Sequence, residues 1–182
     1  MMPPNTSLGT FPMRFIHRDA VIGDLPNIVA IYNHAVATRE SSCDLEPITV
    51  AAREQWFATH SGSRRPIWVA EDGDAPERGV IGYLGFDYFM NERPGYYITS
   101  DLAIYLHPDY QRKRLGTYLL GEAIRHAPSL GIEVLAVTIF ASNRPSLLLF
   151  ARHGFERWGF MPRVARLGHI ERDLIMMGRR LA

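Results

Sequence analysis

One stretch of this 182-residue chain has residue types in an order that prescribes chemistry: Asp101-Leu-Ala-Ile-Tyr-Leu-His-Pro-Asp-Tyr-Gln-Arg-Lys-Arg-Leu-Gly-Thr-Tyr-Leu-Leu120. An apolar, strand-like run enters a short basic loop and passes straight into an amphipathic helical pattern. The first N–H groups of a helix have no intrahelical acceptor and the dipole is positive there, so such a junction attracts anions. Arg112, Lys113 and Arg114 add positive charge, Leu115 and Thr117 flank the turn, and Gly116 lacks the Cβ that would hold a phosphate away from the backbone. A pyrophosphate suits this loop. The plainer alternative is a basic strand-to-helix turn with nothing bound.

A second stretch, Asn143-Arg-Pro-Ser146-Leu-Leu-Leu-Phe150-Ala-Arg-His-Gly154-Phe155, reads as a short helix capped by Asn143 and ended by Gly154. The elements that must position both stretches are legible from periodicity. Asp24 caps a helix running to about Thr38, with Pro26 in its first turn and Leu25, Ile28, Val29, Tyr32 and Val36 at helical spacing. Thr49 caps another near Val50–His60, and Leu115–Ala127 is a third. Strands are expected at Phe15–His17, Ile67–Glu71, Gly79–Asp87, Tyr96–Leu106, Val134–Phe140 and Ile170–Met177. A meander of strands followed by strand–helix alternation predicts an α/β fold, with a mixed sheet holding a parallel pair in its second half.

Composition narrows the function classes. Residues 1–110 hold 8 basic and 14 acidic side chains, whereas residues 111–182 hold 12 and 5. The basic second part suggests an anionic partner, either a phosphorylated small molecule or nucleic acid, or else a solvated arginine face. A single cysteine, Cys43, excludes an intrachain disulfide, and the seven histidines show no metal-ligand spacing, so no metal is expected. No apolar run approaches the ~20 residues of a membrane helix. Residues 1–13 read as a disordered lead-in and residues 14–182 as one domain, with the cytoplasm as the expected compartment.

Gln111-Arg-Lys-Arg-Leu-Gly116 resembles the Gln/Arg-x-x-Gly-x-Gly/Ala pyrophosphate loop of the GNAT-type N-acetyltransferase superfamily, and Asn143 to Phe155 resembles that superfamily's second signature. Ile31-Tyr-Asn-His-Ala-Val36, Ser42-Cys-Asp-Leu-Glu-Pro47, Trp68-Val-Ala-Glu71 and Arg172-Asp-Leu-Ile-Met-Met177 are similar to its phosphinothricin and methionine sulfoximine acetyltransferase branch. The resemblance implies a mostly antiparallel central sheet flanked by helices. It also implies acetyl-coenzyme A as co-substrate, a small amino-acid-like amine as acceptor, a homodimer, and neither nucleic acid nor membrane as partner.

Carried over residue by residue, the resemblance puts Asp101 at the general base and the Leu106 N–H at the thioester carbonyl. Ile104 and Tyr105 stand beside the pantetheine arm. Arg112 to Thr117 form the phosphate loop, and Asn143, Ser146 and Phe150 complete the cofactor contacts. His34, Cys43 and Arg93 are candidates for the acceptor pocket. Three positions depart from the family pattern. Arg114 replaces the first glycine of the loop, Asp101 is one methylene shorter than the family's glutamate, and Phe150 replaces a Tyr or His that protonates the leaving thiolate. A non-catalytic acyl-coenzyme A sensor and an acetyltransferase of protein amines are the alternative readings.

Overall fold

The computed structural model describes residues 14–60 and 62–181. The expected lead-in, residues 1–13, lies outside the described residues. Seven strands and four α-helices follow in the order β1 (Phe15–Asp19), α1 (Leu25–Thr38), α2 (Val50–Ala58), β2 (Ile67–Asp72), β3 (Val80–Tyr88), β4 (Thr99–Leu106), α3 (Leu115–His126), β5 (Val134–Phe140), α4 (Arg144–Arg152), β6 (Glu156–Leu167) and β7 (Ile170–Arg180). Short 3-10 turns link several of them. The strands form one sheet of order β1-β2-β3-β4-β5-β7-β6, in which only β4 and β5 run parallel. The architecture is the mixed, mostly antiparallel α/β sheet expected from sequence.

Local chemistry explains the boundaries. Thr49 Oγ1 accepts the Ala52 N–H at 3.1 Å to cap α2, and Asn143 Oδ1 accepts the Ser146 N–H at 3.2 Å to cap α4. Asp24 does precede α1, but its carboxylate bonds no helix amide: it takes the Arg18 guanidinium at 2.7 and 2.9 Å and the Val21 N–H at 2.8 Å. Tyr96, expected to begin a strand, instead closes the 3-10 turn Pro94–Tyr96, where Pro94 and Gly95 favour a turn over a ladder, and the strand starts at Thr99. The sequence reading also lacked β6. Its register breaks between Arg157 and Gly159 and again between Met161 and Ala165, which scrambles the two-residue alternation that marks a strand. With β6 on the edge, β7 lies between β5 and β6, so Leu174–Met177 is interior to the sheet.

Each face of the sheet carries its own core. On one, Leu115, Leu119 and Leu120 of α3 and Phe150 of α4 pack with Trp68, Phe86, Leu102 and Leu135. On the other, Ile28, Ile31, Tyr32 and Val36 of α1 pack with Ile67, Val69 and Tyr83. Each fully buried Leu or Ile removes apolar surface from water and contributes ~1.5–3 kcal/mol. Because side chains alternate along a strand, β4 serves both layers. Leu102, Ile104 and Leu106 join the α3 side, while Tyr105 joins the α1 side. No helix of the described residues is long and apolar enough to cross a membrane.

Candidate active site

The site begins where the sheet comes apart. β4 and β5 pair only from Thr99–Val134 to Asp101–Ala136 and then diverge. β3 stays paired with β4 throughout, from Tyr88–Ser100 to Gly82–Leu106. The His107 N–H donates to the Ile81 carbonyl at 2.9 Å, so odd-numbered residues of this strand direct their backbone groups at β3. Ile104 and Leu106, one register out of phase, turn their amides and carbonyls into the gap. A cleft of about 960 Å³ opens there, walled by β4 on one side and by Val137–Phe140 of β5 and the start of α4 on the other.

At one end of the cleft stands the basic loop. Tyr118 N–H is the first in α3 to find a helical acceptor, the Arg114 carbonyl at 3.0 Å, which leaves the amides of Leu115, Gly116 and Thr117 free for a ligand. Arg112 and Arg114 line the cleft with Gly116 and Thr117. Both arginines adopt the left-handed conformation, with φ of 58° and 70°. Such angles cost an L-residue roughly 1–2 kcal/mol. Arg114 therefore holds the geometry that a glycine would adopt freely. Gly116 is needed for a different reason: a Cβ there would lie 3.1 Å from Leu149 Cδ2 and 3.6 Å from Leu106 Cδ1, so its absence lets α3, α4 and β4 close together.

At the other end, Asp101 and Asp87 occupy opposed positions on β4 and β3, both lining the cleft. Burial, and secondarily the charge of Asp87, push the Asp101 carboxyl up to about 7, against the N–H bond from Leu102 that favours its ionised form. Asp87 Oδ1 accepts the Trp56 indole N–H at 2.9 Å and faces His60 Nε2 at 3.0 Å. Tyr105 stacks on Tyr83 with ring centroids 5.4 Å apart, and its hydroxyl donates to the Ser41 carbonyl at 3.2 Å. Burial drives the Tyr105 phenol upward, so it stays protonated.

Most residues singled out from sequence meet in this one cleft: Asp101, Ile104, Tyr105 and Leu106 from β4, the loop positions just described, and Asn143, Ser146 and Phe150 from α4 and its cap. His34 and Cys43 line the same cleft and are exposed. The Cys43 thiol is pushed up by burial and by Asp44, which disfavours the thiolate that an acyl-cysteine route needs. Three residues fall elsewhere. Leu115 is fully buried in the core. Lys113 leans over the Tyr110 ring at 5.0 Å. Arg93 lies exposed in the turn after β3, off the cleft wall. Phe150 packs edge-on against Phe155 at 5.0 Å, an apolar contact with no proton to give. The sequence reading missed Asp87, His60 and Trp56, whose meeting depends on strand register and on α2 lying across the sheet. Among the described residues, no group of three or more His, Cys, Asp or Glu is placed to hold a metal ion.

The overall fold is shared with known proteins. Residues 28–155 match the acetyltransferase (GNAT) family. The chain belongs to that family. This acetyltransferase is 42% identical over 159 residues to YwnH of Bacillus subtilis, whose name assigns it provisionally to the phosphinothricin acetyltransferases, covering 87% of this chain and 94% of that one. It is 36% identical over 151 residues to the L-methionine sulfoximine/L-methionine sulfone acetyltransferase of Pseudomonas aeruginosa, covering 82% and 84% of the two chains. Among solved structures it resembles a GNAT superfamily phosphinothricin acetyltransferase from Sinorhizobium meliloti in complex with acetyl-coenzyme A. There the TM-score is 0.85 and the identity 32%, over 93% of this chain and 90% of the other.

Proposed function

We propose that the protein is an acetyl-coenzyme A-dependent N-acetyltransferase acting on the amino group of a small amino acid or amino-acid analogue. One observation carries this reading: a single strand, β4, offers unpaired backbone groups to the cleft from Ile104 and Leu106 and a carboxylate from Asp101. The cleft suits the donor because the free amides of Leu115–Thr117, with Arg112 and Arg114, answer a pyrophosphate, while a strand edge answers the amides of a pantetheine arm. Asn143 and Ser146 line the same arm of the cleft. Acetyl-coenzyme A, when bound, supplies the acetyl group as a thioester.

The protein's own part is to orient, polarise and move one proton. Of the two free amides, that of Ile104 stands about 10 Å from Asp101 along the strand and that of Leu106 about 16 Å. We therefore assign polarisation of the thioester carbonyl to the Ile104 N–H and the pantetheine arm to Leu106, rather than the reverse. The Asp101 carboxylate takes a proton from the acceptor ammonium, leaving a free amine lone pair as nucleophile. A short side chain at this separation works through water. The thiolate leaves without help from Phe150.

The relatives act on methionine sulfoximine, methionine sulfone and phosphinothricin by name. Here the acceptor end is lined by Asp87, Asp101 and Glu40, while the cations on the cleft wall are Arg112 and Arg114 at the phosphate loop and Arg152 of α4. This charge pattern favours an ammonium with an uncharged side chain over the anionic phosphinate of phosphinothricin. Coenzyme A release measured across amino acids and analogues tests it, with methionine sulfoximine turning over faster than phosphinothricin. No thiol release with any amine would favour the sensor reading instead.

A further inference from the structure

Asp87 is not explained by the reaction as described so far, yet the fold holds it with unusual care. Its position on β3 faces Asp101 on β4 directly in the antiparallel register. Two donors from the α2 region converge on the same oxygen, the Trp56 indole N–H at 2.9 Å and His60 Nε2 at 3.0 Å. The His60 ring is almost fully enclosed, with its side chain 5% exposed, while that of Asp87 is 30% exposed toward the cleft.

The contacts of His60 orient its ring. His60 Nδ1 lies 2.7 Å from the Trp56 carbonyl, which can only accept, so Nδ1 carries hydrogen. Nε2 faces the carboxylate oxygen that also accepts from Trp56. Asp87 is thus fixed from the α2 side, beside a buried second carboxylate.

We propose that Asp87 is the positioning residue for Asp101: a carboxylate fixed opposite it by Trp56 and His60, whose charge sets how readily Asp101 takes up the acceptor's proton. The inference rests on Asp101 being the base. Like charges across a strand pair disfavour joint ionisation, so Asp87 holds Asp101 as a stronger base than a lone carboxylate. Trp56 and His60 hold that charge at its place opposite Asp101. The same pair also gives the incoming ammonium a second carboxylate to approach.

Other ionisable groups surround the pair. From α1 come Tyr32 and His34, and from the loop after it Glu40, Cys43 and Asp44. From α2 comes Arg53, whose guanidinium lies 4.6 Å from the Tyr32 ring centre and 4.5 Å from that of Trp56. From the strands come Tyr83 and Tyr105, both held protonated by burial. Asp87 is the one charge among them that acts appreciably on Asp101.

The test is the pH profile of kcat/KM for the intact enzyme with a fixed acceptor. Asp87→Asn keeps the shape and an acceptor for Trp56, and should move the acidic limb to lower pH by about one pH unit. His60→Ala removes one of the two contacts that fix Asp87 opposite Asp101 and should move the limb in the same direction by less. Asp87→Glu keeps the charge and should leave the limb near its wild-type position. A merely structural Asp87 would lower the rate or the melting temperature without moving the limb, and that result in a folded Asp87→Asn enzyme overturns the proposal. If Asp87→Asn does not fold, the downward move in His60→Ala decides alone, and an unmoved limb there overturns it. The underlying assignment fails separately: a folded Asp101→Asn enzyme that keeps both rate and limb removes Asp101 as base, whatever Asp87 does.

Discussion

Asp101 and Asp87 face each other across the β3–β4 ladder, and of the two it is Asp87 that Trp56 and His60 hold by one carboxylate oxygen. The strand register thereby sorts two identical side chains into different tasks, one held by an imidazole and one left to take up protons.

Replacing Asp101 by Asn keeps size and hydrogen bonding but removes basicity. Turnover near neutral pH should fall by ~10²–10⁴-fold, the usual contribution of a general base, while acetyl-coenzyme A affinity by calorimetry persists. The deficit should narrow as pH rises, because more of the acceptor then loses its proton unaided. Near-normal turnover at pH 7 in the folded variant would transfer the base role to solvent or to His34.

The same variant should be more stable than wild type, but only above mildly acidic pH. The Asp101 carboxyl sits at about 7 in the fold and near ~3.9 in an unfolded chain. Between these values the folded state binds a proton that the unfolded state lacks, so native stability falls as pH rises through this window and is flat beyond it. Asn cannot ionise and escapes the loss. Urea melts at pH 8 should favour Asp101→Asn by about 1–3 kcal/mol, with the gap nearly closed at pH 4. An equal gap at both pH values contradicts a raised Asp101.

Arg114→Gly separates strain from charge in the phosphate loop. Glycine adopts φ of 70° freely, so relief of backbone strain should outweigh its extra unfolded-state entropy and raise Tm by about 2–4 °C. Acetyl-coenzyme A affinity should drop roughly 2–5-fold for the lost cation, less so at high salt. A variant that gains affinity would show that the arginine backbone, not its charge, dominates the loop.

We infer a homodimer, formed along the edge strand β6, where Trp158, Phe160 and Val164 are each about half exposed. Light scattering at micromolar concentration should give twice the chain mass. Phe160→Lys, which puts a charge on that face, should return the monomer mass. A monomer in the unaltered protein counts against this edge.

The phosphate loop, the α4 cap and the strand carrying Asp101 were legible because each is a local pattern: a cap three residues from its amide, a glycine beside basic residues, an apolar run of strand length. β6 was not, since its bulges and its Gly159 and Pro162 erase alternation, and an edge strand buries too little to restore it. Nor was the Trp56–His60–Asp87 cluster, in which Asp87 lies 31 and 27 residues from Trp56 and His60 and meets them only through register and helix placement. Arg93 was a candidate by its place in the family resemblance and by its charge. Its turn carries it away from the cleft, which no local rule anticipates.

The divergence of β4 from β5 has an evolutionary consequence. In the proposed reading the grip on the donor is largely a main-chain affair: amides of a strand edge and a helix start, with side chains as accessories. Point mutations leave such groups in place. The proposed acceptor end is built from side chains on α1, the loop after it, β3 and β4, and most can be exchanged singly. A lineage built on this frame can therefore drift in what it modifies while the identity of its acyl carrier stays locked, and directed evolution toward a new amine should seek its diversity in the residues lining the α1 side and leave the crevice itself alone.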